Sequence, residues 1–142
     1  MDLIDRMVNR LSLAEGARLK PYDDKTGKEI EHNVTIGIGT NLSNGISQKT
    51  ARILLFGGLD TAVSDAQAVF GYRGYGLLPE PVKEAFLDML YQMGRGRFMG
   101  FKKMIVAAKA NDWPGVKREM LDSDWARGIH KNRAEKIAEL IP

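Results

Sequence analysis

Apolar residues near the start of the chain fall at Ile4, Met7, Val8 and Leu11. That i, i+3, i+4, i+7 spacing marks one helical face. Asp2 is placed to cap the helix start, and Gly16 to end it. The pattern predicts a helix over 3–14, with Glu15 at its last turn. Helical periodicity then stops. Between 17 and 42 the chain is punctuated by Pro21, Gly27, Gly37 and Gly39, and Val34-Thr35-Ile36-Gly37-Ile38 is rich in β-branched residues. This stretch reads as a small antiparallel hairpin or meander, with Asp23-Asp24-Lys25-Thr26-Gly27 as a turn.

Helical spacing returns beyond Leu42. Ser47 is an N-cap candidate for a helix to about Phe56, and Asp60 opens another to about Phe70. Gly71-Tyr72-Arg73-Gly74-Tyr75-Gly76 reads as a loop. Pro79 and Pro81 suit the first turn of a helix to about Met93, closed by Gly94. Further helices are predicted over 98–110, 113–122 and 130–140, the second capped by Asp112 with Pro114 in its first turn. The fold class is therefore α+β, in a single domain over 1–142. It is expected to comprise a first helix (1–16), a small antiparallel β-hairpin lobe (17–45) and a larger helical lobe (46–142). A cleft between the two lobes follows naturally.

Composition narrows the functional classes. The chain has 142 residues, 44% apolar and 27% charged, which suits one globular domain with its own core. It has no cysteine and only His32 and His130, so a disulfide framework, a cysteine-based zinc site and a histidine-rich metal site are not expected. No cofactor is expected. Asp2 and Asp5 do not fit the basic start of a secretory signal. No apolar run approaches the roughly 20 residues of a membrane span. Synthesis in the cytoplasm, without stable membrane insertion, is the expectation.

Net charge is +3. The excess gathers in the last third, at residues such as Lys102, Lys103, Lys117, Arg118 and Lys136. Such a face attracts polyanions, among them nucleic acid and the bacterial wall, though it also reads as a solvated helical surface. No aromatic and basic residues interleave as they do in single-strand binders, so a nucleic-acid partner is not expected.

Glu15 and Asp24 stand out chemically. Glycoside hydrolysis needs two carboxyl groups flanking the bond, one protonated to donate to the leaving oxygen and one ionised. Burial favours the first state and a wet, polar turn the second. Glu15, at a helix end beside Leu19 and Tyr22, suits the donor. Asp24, on an exposed turn, suits its partner. On this ground alone, any two of the 18 acidic residues that meet in space would serve.

The surrounding pattern is more specific. Leu13-x-Glu15-Gly16-x-Arg18-Leu19-x-x-Tyr22-x-Asp24-x-x-Gly27 is followed by Thr35-Ile36-Gly37-Ile38-Gly39. Far along the chain come Tyr91-Gln92-Met93-Gly94, Gly100-Phe101, Trp125 and Asn132-Arg133-Ala134. Together these resemble the phage-type lysozymes, the T-even phage endolysin family, in the right order and over nearly the whole chain. The likeness lies in a Glu-Gly pair, an Asp nine residues after the Glu, and a Thr-Ile-Gly-x-Gly strand. Two features depart from the family pattern. Seven residues separate Gly27 from Thr35 where the family has about two, and Thr40 stands where it often has histidine. The longer hairpin puts Glu29, Glu31 and His32 near the expected cleft.

The resemblance implies a lysozyme-like fold and a monomeric glycoside hydrolase. It implies hydrolysis of the β-1,4 bond between N-acetylmuramic acid and N-acetylglucosamine of peptidoglycan, with inversion. Glu15 resembles the general acid, Asp24 the second carboxylate, and Thr35 its partner in holding the attacking water. Tyr91, Gln92 and Phe101 look like substrate-binding residues, and Arg133 a support for Glu15. An endolysin would act from the host bacterial cytoplasm and reach the wall through a holin-type lesion. The alternatives are a lytic transglycosylase on the same bond, a virion-associated lysozyme acting during infection, and a non-enzymatic wall-binding module.

Overall fold

The computed structural model describes residues 1–16, 18–23, 26–30 and 40–142, and the backbone of 35–36. These residues are mostly helical. Helix α1 spans Leu3–Glu15, and the Asp2 carboxylate accepts the Asp5 backbone N–H at 2.8 Å. Its buried face is Met7, Val8 and Leu11. The helix stops where Gly16 turns to φ 73°, ψ 146°, a region that side chains bearing a Cβ avoid. Glu15 is thereby left as the last helical residue.

A tight turn follows in the next segment. The Asp23 N–H donates to the Lys28 carbonyl at 2.8 Å, and the Gly27 N–H returns to the Asp23 carbonyl at 2.7 Å. The Asp23 carboxylate accepts the Thr26 N–H at 2.9 Å, an Asx-type closure. Tyr22 and Glu29 bridge in antiparallel fashion across the turn. Strand β1 (Thr35–Ile36) pairs antiparallel with β2 (Thr40–Asn41), with Thr35 opposite Asn41 and Ile36 opposite Thr40. Among the described residues this is the whole of the sheet. Val34 and Ile38 of the expected strand lie outside them, as do Glu31 and His32.

Helix α2 runs unbroken over Gln48–Phe70, with the Ser47 hydroxyl accepting the Thr50 N–H at 3.1 Å. Two helices separated near Gly57-Gly58 were expected, and this is the first correction. Gly58 is present because a neighbour comes close. A Cβ there would lie 2.6 Å from the Tyr91 ring. At 23 residues, with a mean hydropathy of 1.2 over its most apolar stretch, α2 has the length and composition of a membrane crossing, against the expectation that no run came near this. It nevertheless packs on helix α4, burying Leu59, Ala62 and Ala66.

The second correction is helix α3 (Tyr72–Leu77), where a glycine-rich loop was expected. Tertiary packing overrides the poor local propensity, because Tyr75 is buried in the core and the Lys83 ammonium sits 5.4 Å from its ring centre. Helix α4 (Glu80–Phe98) bears the main core face, including Val82, Phe86, Leu87 and Met89. Its backbone leaves helical geometry at Gly94 (φ 75°). Phe70 stacks on Phe86 at 5.3 Å, and Phe98 meets Phe86 edge-on at 5.5 Å. Buried aromatics of this size contribute roughly 1.5–3 kcal/mol each.

Three short helices and a single turn complete the chain: α5 (Lys102–Lys109), α6 (Trp113–Leu121), α7 (Asp124–Arg127) and α8 (Lys131–Ala138). The Asp112 carboxylate caps α6 through the Gly115 N–H at 3.0 Å. Helix α7 was not expected; Ser123 caps it, accepting the Ala126 N–H at 3.1 Å. Helix α8 lays Ala134, Ile137 and Ala138 into the common core.

Candidate active site

The end of α1, the middle of α4 and the start of α8 converge on Glu15. Its side chain is 41% exposed and its Oε1 accepts from Arg133 Nη1 at 2.6 Å. Among the described residues, Oε2 has no hydrogen-bond partner. The carboxyl group is therefore held from one side and open on the other.

Arg133 is held as well. It is 17% exposed, and its Nε and Nη2 both donate to Asp88 Oδ1, at 3.1 and 2.7 Å. Asp88 sits on α4, 1% exposed, and its Oδ2 accepts from Arg10 Nε of α1 at 2.6 Å. Gln92, one turn further along α4, donates to Asp88 Oδ1 at 3.4 Å. Its Oε1 accepts the Trp125 indole N–H at 3.2 Å. A chain of hydrogen bonds thus runs from Arg10 through Asp88 and Arg133 to Glu15, with a branch through Gln92 to Trp125. A buried charge is tolerable only when paired and hydrogen-bonded, and Asp88 meets both conditions. Burial alone would lower the Arg133 guanidinium, but the carboxylates of Asp88 and Glu15 outweigh it and hold it above its ordinary value.

Glu15 forms part of the wall of a cleft of about 1060 Å³ that is also lined by Tyr22, Tyr91, Gln92, Phe101, Trp125 and Arg133. This volume is at the upper end of ligand sites, roughly 300–1,000 Å³, and suits an extended molecule. Its lining includes four aromatic side chains. Phe101 and Trp125 meet edge-on at 6.1 Å, and the Arg18 guanidinium lies 4.2 Å from the Tyr22 ring centre. The Tyr91 phenol is pushed up, first by burial and then by the nearby Glu15 carboxylate, so it remains a neutral donor. A second cavity of about 310 Å³, lined by Arg18, Arg52 and Leu55, touches Glu15 from the α2 side. Among the described residues no acidic or histidine cluster is arranged to hold a metal ion.

Residues 12–138 match the phage lysozyme family. The chain belongs to that family. No curated protein matches it. Membership implies a peptidoglycan substrate and an enzyme of the glycoside hydrolase class. The matched stretch takes in Glu15, Asp88, Gln92 and Arg133, and leaves Arg10 just outside.

Of the residues singled out in the sequence, Glu15, Tyr91, Gln92, Phe101 and Arg133 come together around the one cleft. Asp24 lies outside the described residues. Thr35 is described in its backbone, where it pairs with Asn41. Sequence reasoning missed Asp88 and Arg10. One signal was available for Asp88: it is the lone charge within the apolar run Phe86-Leu87-Asp88-Met89-Leu90, four residues before Gln92. That spacing puts the two side chains on the same helix face.

Proposed function

We propose that the protein is an endolysin-type muramidase, cleaving the β-1,4 bond from N-acetylmuramic acid to N-acetylglucosamine with inversion. The observation that carries this reading is the state of Glu15. One oxygen is held by Arg133, and Glu15 stands in the wall of a cleft, shared with Tyr22, Tyr91, Phe101 and Trp125, that has room for several sugars. A general acid needs this arrangement. Arg133 on Oε1 keeps the carboxyl plane in place and leaves Oε2 to serve as the donor atom.

The neutral Tyr91 phenol and the Trp125 indole offer flat, amphipathic surfaces to sugar rings, and Phe101 adds an apolar one. Hydrolysis with inversion also needs a base and a water on the far face of the sugar. Asp24 and Thr35 take that role here, supported by their spacing from Glu15 in the sequence. Tyr22, in the segment after α1, stands in the cleft wall, as the small lobe of a lysozyme-like α+β fold would place it.

A turbidity assay on permeabilised Gram-negative cells tests the acid assignment. Glu15→Gln should lower the rate at least about 100-fold while leaving thermal unfolding within a few degrees of wild type. Retained activity in that variant would remove Glu15 from the chemistry. Anhydro-muramic ends among the products would identify a lytic transglycosylase instead.

A further inference from the structure

Asp88 has no place in the bond cleavage set out above. It does not line the large cleft, and lines instead a small pocket with Arg10, Leu13, Arg133 and Lys136. Yet it is the buried charge to which the acid is indirectly anchored. Its geometry is also more than a structural pair requires. One cation would neutralise it, but two guanidinium groups converge on it and Gln92 adds a third donor.

The consequence for Glu15 follows from counting charges. An arginine 2.6 Å from a carboxyl group favours the ionised form, which is the wrong form for a proton donor. Asp88 counters this. Its negative charge is shared between Arg10 and Arg133, so Arg133 reaches Glu15 with part of its field already cancelled. The forked grip of Nε and Nη2 on Asp88 also fixes the rotation of the guanidinium, which aims Nη1 at Oε1.

The geometry points to Asp88 as a positioning residue that orients Arg133 and moderates its charge, so that Arg133 can hold Glu15 in place without its field driving the carboxyl proton off to solvent. This rests on Glu15 being the general acid. Arg133 from α8, Tyr91 from α4 and Tyr22 face Glu15, with Arg18 and Arg52 on the side of the small pocket. Arg10 from α1 and Arg133 and Lys136 from α8 face Asp88. His130 also lines the cleft. All of these groups remain when Asp88 or Arg10 is changed singly, apart from the one replaced.

The test is the pH profile of cell-wall hydrolysis for wild type, Asp88→Asn, Arg10→Gln and Glu15→Gln. The alkaline limb reports loss of the donor's proton. In Asp88→Asn an uncompensated Arg133 moves that limb to lower pH by about one unit. In Arg10→Gln the full charge of Asp88 falls on Arg133, and the limb moves the other way by roughly half a unit. Opposite shifts are the mark of charge balance. A purely structural Asp88 lowers the rate at every pH and leaves the limb where it was, which overturns the inference. If Asp88→Asn is too unstable to assay, Arg10→Gln decides alone, and a limb that stays put or moves down refutes it. Full activity in Glu15→Gln would bring down the acid assignment and this inference with it. A dead Glu15→Gln with unshifted limbs elsewhere brings down only the role of Asp88.

Discussion

Two adjacent glycines in α2 should respond to the same substitution with opposite signs. Gly57 and Gly58 both lie in helical backbone, where replacing glycine by alanine ordinarily stabilises by about 0.5–1 kcal/mol. At Gly57 the new methyl group has open space within 4 Å, so Gly57→Ala should realise that gain. At Gly58 the methyl group would stand 2.6 Å from Tyr91 Cε2 and 3.3 Å from Cδ2, well inside van der Waals contact. Relieving it tilts a half-buried ring, at an overpacking cost of about 1–3 kcal/mol. After the helix-propensity gain, Gly58→Ala should lose about 1 kcal/mol. The two variants then differ by about 2 kcal/mol, or about 6–8 °C in Tm for a chain of this length. Thermal unfolding by circular dichroism measures this directly. The mechanism is isolated by a double-mutant cycle: in a Tyr91→Ala background the obstacle is gone, and Gly58→Ala should become stabilising. If Gly58→Ala raises Tm as much as Gly57→Ala in the wild-type background, the close-approach explanation of Gly58 is wrong. Because Tyr91 lines the cleft beside Glu15, Gly58→Ala should also reduce hydrolysis, whereas Gly57→Ala should not.

Two further outcomes follow from the buried groups. Arg133→Lys loses the rigid planar fork whose separate N–H groups reach Asp88 and Glu15, so it should lower the hydrolysis rate about tenfold or more and cost about 2 kcal/mol in urea unfolding. The cost stays below the 3–5 kcal/mol of a fully stranded buried charge because Arg10 remains on Asp88. Burial pushes the Tyr75 phenol above its ordinary value, so above about pH 10 the unfolded chain gives up a proton that the folded one keeps, and stability falls as pH rises. Tyr75→Phe should flatten that decline in unfolding midpoints measured from pH 9 to 11.

How much of this was legible in the sequence depended on whether local pattern or distant packing decided each element. The apolar spacing of α1, its Asp2 cap and its end at Gly16 are local features, and they placed Glu15 correctly at a helix terminus. Gly57-Gly58 carried the same letters as a helix break but served a close approach from α4, and sequence alone does not distinguish the two. Gly71–Gly76 looked like a loop because its propensity is poor, yet the anchoring of Tyr75 in the core made it helical. The cleft residues were readable because they recur as a family pattern. Asp88 was not, because its meaning depends on Arg10 and Arg133, which are 78 and 45 residues away.

The Asp88 network also couples the working end of the molecule to its interior. Helix α8 has eight residues, too few to be stable alone in water. It is held by Ile137 and its alanines in the core and by Arg133 on α4. Glu15 cannot lose its guanidinium partner by a local fluctuation of α8 unless the Asp88 pair breaks and apolar surface is exposed at the same time. Amide protons of α8 should therefore exchange with solvent in step with those of α4, as one cooperative unit, and much more slowly than an isolated two-turn helix would. The geometry around the acid then lasts as long as the core does.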